Sequence, residues 1–422
     1  MKNLNHKNTE YEGFKKTRLG WIPEDWEVLK IKDIAKTTTG GTPNTKKIEY
    51  WENGFIPWMS SGELNLKRVR DVKGRITELG LKESSARLIP ENSILIGLAG
   101  QGKTRGTAAI NKIELTTNQS VAAIIIKGNV YYKYVYYNLD NRYEKIRLLS
   151  TGAGGRGGLN LSIINGINLA LPPLPEQKAI ANCLSIWDTA ITKLDLLIKA
   201  KQQLKKALMQ QLLSVKKRLP GFEGEWEQLK FSEISERVKR KNTEVDDTVV
   251  TISAQRGFVL QEDFFNKRVA SDVLLNYTLV HKGEYCYNKS YSKGYPMGAF
   301  KRLDDFEKAV VTTLYVCFRL KYHVDSDFMN HYFEAGKMIP GLMRIAQEGG
   351  RAHGLLNIGL PDFFNLPLKL PLKEEQTAIA EVLNTADHEI QLLTTQRDQL
   401  KLQKKGLMQQ LLIGKKRLKI NG

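Results

Sequence analysis

The chain repeats itself. Residues 208–213 read LMQQLL, residues 407–412 read LMQQLL again, and each copy is followed two residues later by KKRL. The match runs upstream without a gap at a constant offset of 199, with LP…EQ.AIA..L beginning at Leu171 and again at Leu370. Roughly 23 of about 49 aligned positions are identical between 171–219 and 370–418, far above chance for a segment of varied composition. A second echo stands at offset 200: Trp26-Glu27 with Leu29-Lys30, then Trp226-Glu227 with Leu229-Lys230. The chain is therefore two half-molecules, each a variable block followed by a repeated block.

The repeated block carries a helical signature. From Glu176 the apolar residues fall at Ile180, Leu184, Trp187, Ile191, Leu194 and Ile198, alternately four and three apart, and the seam resumes at Leu204, Leu208 and Leu212. The second copy gives Ile379, Leu383, Ala386, Ile390, Leu393, Leu400, Leu407 and Leu411, with the polar Arg397 and Lys404 taking seam positions. Pro175-Glu176 suits a helix start, and no Pro or Gly interrupts the first copy before Pro220-Gly221. Each helix should run about 40 residues, roughly 60 Å. A seam that long needs a facing helix. We expect the two copies to pair antiparallel; the competing reading is that each packs only on its own block.

The variable blocks have another texture. In the first, turn clusters such as GGTPN (40–44) and ENGFIP (52–57) separate strand-like runs at Ser93–Ile96 and Val121–Ile126, and Tyr131–Arg147 reads as helical. In the second, Thr248–Ile252 and Ala309–Phe318 read as strands and NKSYSKGYPMG (288–298) as a turn cluster. Beyond the Trp-Glu pair and a Gly-Gly-Arg near each exit, the two blocks share little. The expected class is α+β: a loosely ordered basic arm over 1–20, a globular domain over 21–174, a helix over 175–219, a second globular domain over 220–373, and a second helix over 374–418.

The charge balance narrows the partners. With 64 Lys and Arg against 45 Asp and Glu, the net charge is +19 and the pI about 9.5, which favours a polyanion such as nucleic acid over solvated surface lysines. Cys183, Cys286 and Cys317 are odd in number and widely spaced, as in reduced cytosolic proteins. The start lacks an apolar signal core, and the longest apolar run, Val121–Ile126, is too short to span a bilayer, so a soluble cytoplasmic chain is expected.

Three motifs invite enzymatic readings. Gly97–Thr104 (GLAGQGKT) fits the phosphate-loop spacing and follows NSILI, but TRGTAAINKIELTTN after it is a poor helix former, and such a loop needs a helix next. Gly152–Gly157 (GAGGRG) follows a helical stretch rather than a strand, which disfavours a dinucleotide site. LPPLP at 171–175 lacks the flanking Asn or Asp and the aromatic of an adenine methyltransferase tetrapeptide. His6, His281, His323, His331, His353 and His388 show no metal-ligand spacing. No catalytic constellation emerges, and no metal or catalytic residue is assigned. An ATP-dependent nucleic-acid enzyme using Gly97–Thr104 and a plain coiled-coil scaffold stay as alternatives.

LPPLPEQKAIANCLSIWDTAI with KKALMQQLLSVKKRLPGF, and LPLKEEQTAIAEVLNTADHEI with KKGLMQQLLIGKKRL, resemble the central and distal regions of the specificity subunits of type I restriction–modification enzymes. GGTPNTKKIEYWENGFIPW, LTTNQS, AQRGFV and YNKSYSKGYPMG are similar to segments of that family's target-recognition domains. The resemblance covers nearly the whole chain. It implies two target-recognition domains separated by two long conserved helices in an antiparallel coiled coil with pseudo-twofold symmetry. Each domain would read one half of a bipartite, asymmetric double-stranded DNA site. The helices would set the spacer and dock two methyltransferase (modification) subunits, which motor/nuclease (restriction) subunits join. The chain itself would be non-catalytic, with S-adenosylmethionine, ATP and Mg bound on the partner subunits.

Specific readout prefers Arg or Lys on guanine and Asn or Gln on adenine, while phosphate contacts give affinity. On loops with small neighbours, the candidates are Lys46, Lys47, Ser60, Ser61, Gln101, Lys103, Arg105 and Arg156 in the first block. In the second they are Gln255, Arg256, Asn288, Lys289, Tyr291, Lys293, Arg351 and His353. The repeated segment offers Leu208, Met209, Gln210 and Leu212, and Leu407, Met408, Gln409 and Leu411, as candidate partner contacts.

Overall fold

The computed structural model of the protein describes residues 12–100, 102–150, 158–265, 274–346 and 354–419. These form two compact units, one of residues up to Leu194 together with those from Gln396 onward, the other Asp195–Thr395. The domain limits read from the sequence differ, because each long helix buries its seam partly in one unit and partly in the other.

In the first unit, strands run in the order Ala35–Thr39, Val121–Ile126, Ile94–Gly97, Ala108–Asn111, with Arg68–Val69 added parallel at the edge. The other three pairings are antiparallel. Helices Tyr132–Asn141 and Tyr143–Leu148 pack on this sheet, where Tyr134, Tyr137, Leu139 and Ile146 join its Ile94, Ile96, Ile110 and Ile124 in one core. A smaller sheet, Thr116–Thr117, Ile56–Met59 and Gly74–Ile76, sits over separate clusters around Met59 and Ile76. Part of the expected loose arm is ordered: Phe14–Thr17 pairs with Gly20–Pro23.

The second unit rebuilds the same sheet from unrelated residues. Ser235–Arg237, Val316–Leu320, Tyr285–Asn288 and Ala299–Arg302 stand in the corresponding order, all antiparallel. Helix Ser326–Glu334 takes the place of Tyr132–Asn141. The supporting hydrogen bonds repeat as well: Ile31 N–H to Ile167 O matches Phe231 N–H to Leu366 O, and Lys127 N–H to Ile34 O matches Lys321 N–H to Ile234 O. Cys286 and Cys317 face each other across two strands, with the sulfurs 3.2 Å apart. The sequence run Ala309–Phe318 is not one strand but two, Lys308–Val311 and Val316–Leu320, with a turn at 312–315.

The long helices span Leu174–Leu212 and Lys373–Leu411. Both stop before KKRL, because the chain turns into the left-handed region at Val215 (φ 62°) and at the matching Gly414 (φ 74°). The seam corrects one expected position: Leu204 is 51% exposed. The four-three step from Ile198 lands instead on Lys201 and Lys205, which lay their stems along the seam and pair with Glu389 and Asp387.

Within each unit the two helical segments run in opposite directions, locked by the same pairs at offset 199. Arg417 forks onto Glu176 at 2.6 and 2.7 Å, as Arg218 does onto Glu375 at 2.5 and 2.6 Å; both glutamates are 1% exposed. Lys404 pairs with Asp188, and Lys205 with Asp387. Gln177 and Gln376 each accept the backbone N–H just before the globular block's helix, from Tyr131 at 2.8 Å and from Asp325 at 2.9 Å.

Candidate nucleic-acid interface

In both units one end of the main sheet collects the loops that carry the candidate side chains. In the first it holds the hairpin loop 98–107, between antiparallel strands Ile94–Gly97 and Ala108–Asn111. Gly106 N–H closes on Gly97 O at 2.9 Å, and Gly97 N–H on Thr107 O at 3.0 Å. A side chain at Gly97 would meet Thr104 O at 2.3 Å, so the loop needs glycine there for close backbone approach. This geometry overturns the nucleotide-binding alternative for GLAGQGKT: an antiparallel strand, not a helix, follows the glycines, so no helix N-terminus completes an anion site.

The tip of that loop is basic and braced. Lys103 is exposed, and its carbonyl accepts from Tyr143 Oη at 3.2 Å and Thr107 Oγ1 at 2.5 Å. Arg105 donates to Ser150 Oγ at 3.0 Å. Leu159 N–H donates to Leu98 O at 2.9 Å. Ser150 and Leu159 thus tie the hairpin to both flanks of the Gly-Gly-Arg segment; Arg156 and Gln101 lie outside the described residues.

The corresponding loop of the second unit, 289–298, is tied the same way. Leu356 N–H donates to Lys289 O and Tyr291 N–H to Gly354 O, each at 3.1 Å, so this hairpin meets the exit flank of its own Gly-Gly-Arg segment. Arg351 and His353 lie outside the described residues. Gln255 Nε2 donates to Lys293 O at 3.1 Å, bringing a second hairpin, Val250–Ser253 with Gly257–Leu260, alongside. Arg256 is exposed, 5.6 Å from the Phe264 ring centre. Tyr291 is 67% exposed, whereas the half-buried Asn288 accepts Ser290 N–H at 3.0 Å and shapes the turn. Gln255, Lys289, Tyr291 and Lys293 therefore converge, as do Lys103 and Arg105.

The remaining first-block candidates stand on other segments. Lys47 donates to Tyr50 Oη at 2.7 Å and lies 3.6 Å from Glu83, beside exposed Lys46. Ser60 takes Glu63 in a capping box, its N–H and hydroxyl both on the carboxylate at 2.9 and 3.2 Å, at the start of the 3-10 helix Ser61–Leu66. The Ser60 hydroxyl is thus engaged in capping. That 3-10 helix backs the hairpin, with Leu64 packed against Gly97.

The partner-contact residues need correction. Leu212, Met408 and Leu411 are 2%, 5% and 1% exposed inside their own unit's core, and Leu208, Met209 and Leu407 pack against the same cores. Of the eight, Gln210 and Gln409 face outward. The arginine of each KKRL is likewise taken by a glutamate of the same chain.

At the base of each block a helix residue meets the long helices. In the first, Tyr137 donates to Asp188 Oδ2 at 2.6 Å, sits 3.1 Å from Ser185 Oγ, and is joined by Arg68, whose Nη2 lies 3.1 Å from Asp188. Burial, with Asp188 close by, pushes the Tyr137 hydroxyl far up. In the second, His331 Nε2 lies 2.8 Å from Asn384 Oδ1, and Nδ1 lies 4.0 Å from Asp387. Burial lowers the pKa of His331. No sequence signal equates Tyr137 with His331, because the offset between the blocks drifts from 200 at their entrances to 194 here. The clamps were findable: applying the 199 offset to charges rather than to leucines pairs Arg218 with Arg417 and Glu176 with Glu375.

Among the described residues no group of three His, Cys, Asp or Glu side chains could hold a metal ion, and no helix is long and apolar enough to cross a membrane. The sequence pattern of the type I restriction modification DNA specificity domain matches residues 23–202. The chain is similar to the type I restriction enzyme MjaIX specificity subunit of Methanocaldococcus jannaschii, 37% identical over 182 residues, which cover 42% of this chain and 41% of that one. It is also similar to the MjaVIII specificity subunit of the same organism, 27% identical over 446 residues and 97% of each chain. The first shared stretch thus spans less than half of that relative's own length. The fold is similar to the type I restriction–modification S subunit from M. genitalium, with a TM-score of 0.55 at 16% identity, covering 92% of this chain and 96% of that one.

Proposed function

We propose that the chain belongs to the specificity-subunit family of type I restriction–modification enzymes and is the DNA-recognition subunit of such a complex. Each globular block reads one half of a bipartite, asymmetric double-stranded DNA target. The two long helices form an antiparallel coiled coil that sets the spacer and docks two methyltransferase subunits, which restriction subunits join. The chain is non-catalytic and cytoplasmic; S-adenosylmethionine, ATP and Mg belong to those partners. The observation that carries this reading is the pair of equivalent, braced basic hairpins, 98–107 and 289–298, on two equivalent sheets with unlike side chains. A like scaffold under unlike loops suits an asymmetric site, and lysines with arginines among amide and aromatic side chains suit phosphate and base contacts.

The test is to sequence methylated sites in cells carrying this chain with its methyltransferase. A split motif with a fixed spacer is expected, and a continuous motif or none would overturn the reading. The spacer role has its own test. Two blocks reading one face of B-DNA stand about one turn, roughly 34 Å, apart. Inserting four residues in the 199–206 region should change the tolerated spacer and leave both half-sites unchanged; an unaltered spacer would remove the ruler.

A further inference from the structure

A second element shares the sheet end with each hairpin. In the first block the turn Asn118–Val121 closes with Val121 N–H on Asn118 O at 3.2 Å and Ser120 N–H on Asn118 Oδ1 at 3.2 Å. In the second, Thr312–Tyr315 closes with Tyr315 N–H on Thr312 O at 3.2 Å and Leu314 N–H on Thr312 Oγ1 at 3.4 Å. The two turns are the same structure at offset 194, the offset that also relates Tyr137 to His331. Their outward residues are unlike: Gln119 and Ser120 in one, Thr313 and Leu314 in the other.

Both turns are rigidly set beside the hairpins. Leu98 N–H, the first donor of the first hairpin loop, bonds Ser120 O at 2.8 Å, and Asn118 N–H bonds Met59 O at 3.1 Å. A side chain at Gly40 would lie 1.9 Å from Thr117 O, so the GGTP segment presses against the turn. From that segment Thr42 Oγ1 donates to Gln119 Oε1 at 2.7 Å, fixing an exposed amide whose NH2 remains to donate. In the second block Tyr315 Oη lies 3.0 Å from Thr251 Oγ1 and accepts Ile252 N–H at 3.3 Å, anchoring the turn to the hairpin that carries Gln255. Leu314 is left 55% exposed, outside every core cluster. A fixed outward amide at the second position of one turn and an outward isobutyl group at the third position of the other gain nothing for folding. They are, however, two of the chemistries that tell base edges apart.

We propose that these turns are base-reading positions, Gln119 taking an adenine edge in one half-site and Leu314 the methyl of a thymine in the other. The assignment rests on the DNA-recognition reading above. It is tested with the chain assembled with its methyltransferase subunits on a DNA library randomised in both half-sites, scoring methylation by sequencing. Gln119→Ala should lower an adenine preference at one position of one half by about tenfold, and Gln119→Glu should move it toward cytosine, whose amino group a carboxylate accepts. Leu314→Ala should relax a thymine preference in the other half only. Spacer length should hold in all three. Unchanged preferences, changes in both halves at once, or lost methylation in all three variants despite intact complexes would overturn the proposal. A wild-type complex with no split motif would instead sink the function itself.

Discussion

The two places where a globular block meets the long helices use one plan and two chemistries. On the helix side the aspartate and lysine are repeated, Asp188 with Lys404 and Asp387 with Lys205. On the block side a tyrosine backed by Arg68 stands where the other unit has His331, which meets Asn384 of the long helix as Tyr137 meets Ser185. The scaffold has kept its charges while the blocks have exchanged theirs, so the constraint on this chain lies in how the blocks are held rather than in what they are made of.

The comparison can be broken hardest at the arginine clamps. Arg417→Ala and Arg218→Ala each strand a buried glutamate, and each should cost about 3 kcal/mol in its own unit, read by hydrogen exchange or denaturant unfolding resolved by unit. Arg417 also holds the Asp25 carboxylate, where Arg218 donates to the backbone carbonyls of Glu223 and Gly224, and Glu176 also accepts Trp26 Nε1 at 3.2 Å, whereas the buried Trp226 Nε1 has no partner among the described residues. A larger loss in the Arg417 variant is therefore expected; equal losses would say that only the repeated fork matters. Next, Gly414→Val should cost about 2 kcal/mol, because it forces a branched residue into the left-handed region and drives its Cβ to 2.4 Å from Pro23 Cδ.

A smaller effect separates the units by pH. His331 is held neutral by burial, facing Asp327 on its own helix, Asp387 on the second long helix and Lys205 on the first. As pH falls below the ordinary histidine value near 6.5, the unfolded chain takes a proton that the folded one resists, so the second unit loses stability. Tyr137, pushed up, gives the first unit no slope there. Hydrogen exchange at pH 7.5 and 5.5 should show a selective loosening of Asp195–Thr395 that His331→Gln removes. The smallest effect is a gain: Val215→Gly relieves the strained counterpart of Gly414 and should raise stability by about 1 kcal/mol in thermal unfolding.

Where residues repeat, the fold was legible. The helices, most of their seam and the two basic loops could be read from pattern and turn chemistry, but not the hairpins those loops close. Leu204 misled because leucine marks a seam only in register, and the register there belongs to Lys201 and Lys205. The turn at Thr312–Tyr315 was hidden because VVTTLYVCF is made wholly of residues that favour strands, and tertiary context, not propensity, breaks the run. The equivalence of the blocks was hidden for a related reason. It lives in backbone hydrogen bonds and sheet order, which many sequences satisfy, while loop lengths shift the numbering between the anchors.

The first unit draws its last helical segment and its clamp from residues 396–419. During synthesis that material emerges about two hundred residues after Leu194, a delay of roughly 10 to 40 s at about 5–20 residues per second. The half made first is thus completed last. Until Met408, Leu411 and Arg417 arrive, the core that holds Ile180 and Leu184 is incomplete and Glu176 lacks its arginine counter-charge. A ribosome stalled anywhere in the second half would hold out a sticky, incomplete first one, a natural target for chaperones.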